Sequence, residues 1–280
     1  MHTSDRHDIE IDLFRRALML RHGYDFTGYA PASFKRRVLA LQAAVQAPTV
    51  SRLTERLLHE DGFVRTVIGR LSVPVSEMFR DPSVFRALRE DVMPVLATWP
   101  QINIWQAGCA HGEEVYSLAI VLRECGLYER AHIFATDFSE EALARAEEGI
   151  YPLHEARAYS DNYLRAGGTG SLSDWYVARY NRIKLDESLR KRVTFARHNL
   201  VSDGVFGEMQ LIVCRNVLIY FGDDLQERAL GLFRDSLVHG GFLCLGNRES
   251  LAYSAMADDF ERLSEETAIY RRGIRARRTI

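Results

Sequence analysis

The stretch Ile104-Trp-Gln-Ala-Gly-Cys-Ala-His-Gly-Glu-Glu-Val-Tyr-Ser117 constrains the fold more than any other part of this chain. An apolar run stops at Gly108 and Gly112 and passes directly into a helical pattern. A strand that ends in glycines and turns at once into a helix belongs to an open α/β sheet, and it lets a ligand come close to the backbone, above all at Gly108. The next residues indicate the kind of ligand. Phosphate-binding turns set bare amides or a lysine against anionic oxygens, whereas Glu113 and Glu114 stand here. Two carboxylates suit a ligand with positive charge and hydroxyl donors. S-adenosylmethionine (SAM) has both, in its ammonium, sulfonium and ribose groups.

The surrounding pattern extends this reading. From Gln101 onward, strand-like and helix-like segments alternate: strands over Ile102–Ala107, Ala131–Thr136, Val193–His198, Met209–Cys214 and Gly241–Gly246, and helices over Glu113–Cys125, Ser139–Glu147 and Asp223–Leu237. Such alternation predicts a parallel sheet with helices on both faces. A turn is expected at Gly240-Gly241, and Ala268–Arg271 as a last edge strand. Before Gln101 the periodicity is helical, over Ile9–Arg21, from Phe34, over Val50–Leu71 and over Pro82–Leu96. The expected organisation is a helical domain over 1–95 and an α/β domain over 96–280. Tyr151–Arg192 breaks the alternation and reads as an insertion between sheet elements.

Composition excludes several classes. A net charge of −2 gives no nucleic-acid signature, and no segment has the roughly 20 uninterrupted apolar residues of a membrane span. The N-terminus has no apolar core for a secretion signal, so the expected location is cytoplasmic, with no membrane insertion. Cys109, Cys125, Cys214 and Cys244 include no CxxC pair, and no metal site is expected.

Several residues stand where chemistry would place them, each with a plainer alternative. Asp137 ends the second strand, where an acidic residue commonly binds ribose hydroxyls, or simply caps the next helix. Arg215 and Asn216 follow a core strand, where polar groups are unfavourable unless they face a ligand, a partner or a structural salt bridge. Tyr220 lies close behind, with a hydroxyl for the same crevice or a ring for packing. Arg80, in Ser76-Glu-Met-Phe-Arg-Asp81, is either a surface charge or a cleft residue at a domain junction. Lys35, Arg36 and Arg37 form a basic helix face, either solvated or available for docking.

Taken together, Met78-Phe-Arg-Asp81, Ala107–Ser117, Ala135-Thr-Asp137, His198-Asn-Leu200, Val213–Phe221 and Gly246-Asn-Arg-Glu-Ser250 closely resemble the motifs of the chemotaxis receptor methyltransferases, the CheR family, from about Tyr24 to Tyr270. The resemblance implies a class I SAM-dependent methyltransferase fold (Rossmann-like), an N-terminal all-helical domain and a small inserted β subdomain near 155–192. It implies methyl transfer from SAM, leaving S-adenosylhomocysteine (SAH), to glutamate side chains in the cytoplasmic helices of chemoreceptors. The family's donor contacts correspond to Ser76, Arg80, Glu114, Asp137, Asn199, Leu200, Arg215 and Asn216, with Tyr220 and Arg80 near the transferring methyl. Lys35, Arg36 and Arg37 would dock an acidic receptor helix. The sequence departs from the family at Pro74, often asparagine; Ser76, usually threonine; Ala110-His111, usually Ser-Thr; Gln210, often aspartate; and in the segment Gly167–Tyr180. An alternative is a catalytically weak SAM-binding adaptor of a chemotaxis-like signalling pathway. An enzyme acting on RNA or a small molecule is a further rival, disfavoured by the near-neutral charge and the basic helical domain.

Overall fold

A computed structural model of the chain describes residues 3–71 and 76–273. It comprises two units: a helical unit, Met1–Pro74 with Tyr220–Ala229, and a sheet unit, Val75–Ile219 with Leu230–Ile280. Pro74 and the basic tail from Ile274 lie outside the described residues.

The helical unit contains α1 (Thr3–His22), α2 (Pro31–Ala44), α3 (Val50–His59) and α4 (Phe63–Leu71). Phe14, Leu18, Val38, Leu41, Leu53 and Val67 form its core. The periodicity expected over Val50–Leu71 resolves into two helices, because Gly62 takes a left-handed φ of +81° that ends the run. Thr49 starts α3 by accepting a hydrogen bond from the Arg52 amide at 3.2 Å. The segment after Ile219 is tied to this unit by its backbone. The Ala30 amide donates to the Tyr220 carbonyl at 3.1 Å, and the Gly222 amide to the Gly28 carbonyl at 2.7 Å.

The sheet unit opens with α5 (Pro82–Ala87), a π turn at Leu88–Val92 and α6 (Met93–Leu96). The π turn has a local cause: Pro94 lacks an N–H and its ring would clash with the carbonyl four residues back, so the ladder loosens just before it. Val84, Phe85, Leu88, Val92 and Leu96 share a core cluster with Ile102 and Ile104 of the first strand. This shared burial puts the boundary at Pro74, not at the expected residue 95.

Strands β1 (Ile102–Ala107), β2 (Ala131–Asp137), β6 (Val193–Arg197), β7 (Met209–Cys214), β8 (Leu237–Leu245), β9 (Phe260–Arg262) and β10 (Ile269–Arg272) form a seven-stranded sheet in the order β6-β2-β1-β7-β8-β10-β9. The first five in that order run parallel, and β10 is antiparallel to both neighbours. The expected α/β class therefore holds. The last strand is not an edge, because β9 covers it. Gly240-Gly241 is not a turn either: both glycines lie inside β8, whose register against β7 shifts between Met209 and Leu211. Gly240 takes a φ of +79°, a bulge conformation open to glycine. Helix α7 (Glu113–Glu124) follows β1, buried along most of its length; α8 (Glu140–Glu148) follows β2; and α10 (Asp223–Ser236) precedes β8. The Ser139 hydroxyl caps α8 by accepting from the Ala142 amide at 3.3 Å.

The insertion begins earlier than residue 155. Strands β3 (Ile150–Pro152), β4 (Tyr176–Arg179) and β5 (Arg182–Leu185) form a separate antiparallel sheet, with α9 (Ala156–Arg165) between β3 and β4. Tyr180 and Asn181, at φ of 49° and 57°, make the two-residue turn between β4 and β5. In the divergent segment, Gly168 lies against the buried Tyr163 ring, whose hydroxyl donates to Glu124 of α7.

Candidate functional site

Strand order reverses between β1 and β7: the chain moves one way from β1 through β2 to β6, and the other way from β7 to β8. Ligands of open α/β sheets bind beyond the carboxyl ends of strands at such a switch point. The Gly108–Gly112 loop after β1 and the Arg215–Ile219 loop after β7 therefore stand side by side where a ligand is expected.

Both loops, and the segment that leads into α5, have unusual backbone. Seven non-glycine residues among those described have positive φ, and Phe79, Asp81, Ala110 and Asn216 are four of them, at 53°, 53°, 49° and 60°. Phe79 is the most demanding, since bulky side chains rarely tolerate this region. It is held there by burial against Phe85 and Tyr163, and by its amide donating to the Ser117 hydroxyl at 2.9 Å. At Gly108, φ +71°, a Cβ would lie 2.5 Å from Val217 Cγ2, so only glycine lets the two loops approach.

Arg215 ties three of the sequence motifs together. Its side chain is fully buried. Nη1 donates to Glu114 Oε1 at 2.9 Å and Nη2 to Asp81 Oδ2 at 2.7 Å. Burial alone would lower its pKa, but the opposed charges, led by Glu114, leave it raised. These pairs are the salt bridge that the sequence offered for Arg215, while its buried Nε has no hydrogen-bond partner among the described residues. Two carboxylates against one guanidinium leave this cluster with net negative charge, which suits a cationic ligand.

Asp137 ends β2 as expected and is buried. Oδ2 accepts from the Ala110 amide at 3.0 Å, and Oδ1 from the Ser139 amide at 2.9 Å. Burial raises its pKa and these amides oppose the rise, so the carboxylate is fixed with lone pairs left for ribose hydroxyls. The His198 amide donates to the Asp137 carbonyl at 3.1 Å, bringing Asn199 and the buried Leu200 beside the same strand end. The Asn199 side chain accepts from the Val201 amide at 3.0 Å, an Asx turn that shapes this loop. Asn216 Oδ1 is buried and has no hydrogen-bond partner among the described residues, an acceptor left for a ligand donor.

One acidic residue of the site, Glu249, was not singled out individually from the sequence. Glu249 accepts from the amides of Gly246, Asn216 and Ile219 at 2.6, 3.0 and 3.3 Å, and so fixes the loop carrying Asn216. Its position within Gly246–Ser250 was the available signal. Glu113 is buried at the start of α7 and hydrogen-bonded by Ser76, with Oε2 lacking a partner among the described residues; burial pushes its pKa up to about 7. Arg80 is half-buried on the loop between Glu77 and Asp81. Gln210, where the family often has aspartate, accepts from the Asn103 amide at 2.6 Å and so links the starts of β7 and β1.

Tyr220 belongs to the helical unit. The expected three-residue docking face is reduced there. Arg37 is only 6% exposed, and its guanidinium lies 3.8 Å from the Tyr220 ring centroid. Helix α2 turns it inward with Phe34 and Val38, so it is unavailable to a partner. Arg36 is exposed, and Lys35 is half-buried and paired with Asp8 at 2.6 Å.

The chain matches the family described as CheR methyltransferase, SAM binding domain, over residues 74–269. It is 51% identical over 271 residues to a Pseudomonas putida protein named "Putative methyltransferase Cher3", covering 96% of this chain and 99% of that one. It is 29% identical over 248 residues to a Listeria innocua "Chemotaxis protein methyltransferase", covering 87% and 92% respectively. A 104.1 kDa uncharacterized Rhodobacter capsulatus protein is 32% identical over 261 residues; this match covers 90% of the chain but 26% of that protein.

Proposed function

Since this chain belongs to the CheR methyltransferase family, we propose that it transfers the methyl group of SAM to glutamate side chains of chemoreceptors, forming glutamate methyl esters in sensory adaptation. The observation that carries this reading is the acidic cluster at the switch point, in which Glu114 and Asp81 pair with a single buried guanidinium and backbone amides fix the Asp137 carboxylate at the end of β2. Acceptors dominate, and the buried, unpartnered Asn216 Oδ1 adds another, so the residues fit a cationic donor rich in N–H and O–H groups. Gly108, Glu114, Asp137, Asn199, Leu200, Asn216 and Ser76 would hold it, with Arg215 acting through Glu114 and Asp81. When bound, SAM supplies a methyl carbon on positively charged sulfur.

A glutamate is already ionised at neutral pH, so its nucleophile needs no general base. Held by these residues, SAM would supply its methyl carbon to a carboxylate oxygen, with the electron pair of the carbon–sulfur bond left on sulfur in SAH. Opposite charges cancel, and alignment with exclusion of water are the protein's main tasks. Alignment of this kind supplies roughly 7–11 kcal/mol in favourable cases. Arg80 orients the incoming carboxylate with part of its guanidinium fork, since a full clamp would damp the nucleophile, and Tyr220 places it near the methyl. Docking of an acidic receptor helix falls to Lys35 and Arg36, with affinity that declines as salt rises.

The test is transfer of radiolabelled methyl from SAM to receptor cytoplasmic fragments. Base-labile label is expected, with strong losses in Arg80→Ala and Tyr220→Phe and SAH binding better preserved in the tyrosine variant. Base-stable label would indicate another acceptor. SAH binding without transfer would leave a donor-binding adaptor.

A further inference from the structure

Tyr220 is held by the helical unit, and a residue whose sequence suggested docking does the holding. The Arg37 guanidinium stacks on the Tyr220 ring at 3.8 Å, a close cation–π contact. Its Nη1 is anchored on the Leu71 carbonyl. Nε and Nη2 are buried and lack acceptors among the described residues. The ring face is therefore a principal compensation for this buried charge. A buried charge with so few alternatives keeps its partner in place, because moving the ring away strands the guanidinium. The backbone adds a second restraint, through the Ala30 amide on the Tyr220 carbonyl and the Tyr29–Phe221 bridge beside it. Phe221 packs edge-on against Tyr29 at 5.1 Å, so the next residue is fixed as well.

We propose that Arg37 is a positioning residue for the transfer reaction, fixing the direction of the Tyr220 hydroxyl through its stack on the ring. This rests on the reading that Tyr220 places the receptor carboxylate. It gives helix α2 two separate tasks, with Arg36 turned outward for the partner and Arg37 turned inward for the catalytic tyrosine.

The test compares Arg37→Met, which keeps length and loses charge, with Arg37→Lys, which keeps charge. With receptor fragment as acceptor, Arg37→Met is expected to lower kcat by about 10²-fold, as misplacement near 1 Å does. KM for SAM should stay within about twofold, and Arg37→Lys should recover part of the loss. In a Tyr220→Phe background there is no hydroxyl left to aim, so Arg37→Met should cost less than about threefold more. An equal loss in both backgrounds, or an unchanged kcat, overturns the proposal. A second readout needs no turnover. In protein labelled with 3-fluorotyrosine, the ¹⁹F resonance assigned to Tyr220 should shift in Arg37→Met, and an unmoved resonance overturns the stack. If wild-type protein methylates no receptor fragment, the functional reading fails while the fluorine signal still decides whether Arg37 fixes the ring.

Discussion

Replacing Arg215 by methionine probes the tie beneath the site. The methionine fills most of the same volume but leaves Glu114 and Asp81 without their shared guanidinium. The two arms are unequal: side-chain exposure is 0% for Arg215, 9% for Glu114 and 34% for Asp81. The Asp81 arm is open to solvent screening and contributes about 1 kcal/mol or less. The Glu114 arm is enclosed, and breaking such a pair costs roughly 3–5 kcal/mol, mostly as the penalty of a stranded charge. For a unit of this size each kcal/mol moves Tm by roughly 2–4 °C, so the sheet unit should melt roughly 6–20 °C lower. Thermal unfolding followed by near-UV circular dichroism measures this without ligand. A second neutralisation separates a stranded charge from lost packing: Glu114→Gln added to Arg215→Met should regain more than half of the loss. A single variant that melts with wild type, or a double variant no better than the single, would refute the reasoning.

Glu113 gives a pH signature. Its folded carboxyl keeps a proton to about pH 7, whereas the ordinary value is 4.5. The folded state thus binds the proton more tightly, and stability from this group is fully present below pH 4.5 and lost as pH rises to about 7. Glu113→Gln should match wild type in urea unfolding near pH 4 and exceed it by about 3 kcal/mol near pH 8; the same difference at both pH values would exclude a titrating Glu113. At Gly168, an added Cβ would lie 2.3 Å from Tyr163 Cζ, a fully buried ring with no space to yield. Gly168→Ala should destabilise by about 2–3 kcal/mol in the same assay, and a loss under about 0.5 kcal/mol would show that the ring can move.

Much of this architecture is legible in the sequence because strong local patterns agree with the final packing. Ile102–Ala107 and Met209–Cys214 are apolar runs buried on both faces, and both form strands with the expected bounds. The helix expected over Ser139–Glu147 forms over Glu140–Glu148, with the Ser139 side chain as its cap. The failures share a cause, since each depends on what lies opposite. β9 is three residues, Phe260-Glu-Arg262, without alternation, and only pairing with β10 makes it a strand. Tyr180-Asn181 lacks the glycine that usually marks such a turn. Gly240-Gly241 resembles a turn until β7 is placed beside it. The helical pattern over Pro82–Leu96 shows an element but not its partner, so the boundary was expected too late. At the site, the residue types were readable and their pairings were not. Glu114 reads as a ligand for cations, yet the cation that reaches it within the chain is Arg215, 101 positions away. Arg37 reads as one of three surface charges until α2 and Tyr220 are packed together.

The central claim is that Glu114 at the start of α7, Asp137 at the end of β2 and Asn216 in the loop after β7 hold the methyl donor. Titration calorimetry with SAH tests it on wild type and on Asp137→Asn, which keeps the shape and removes the charge. The expected result is one-site binding in wild type, weakened about tenfold or more in the variant, as loss of a charge-assisted hydrogen bond to ribose would produce. No heat of binding in folded wild type, or an affinity unchanged by Asp137→Asn, would contradict it.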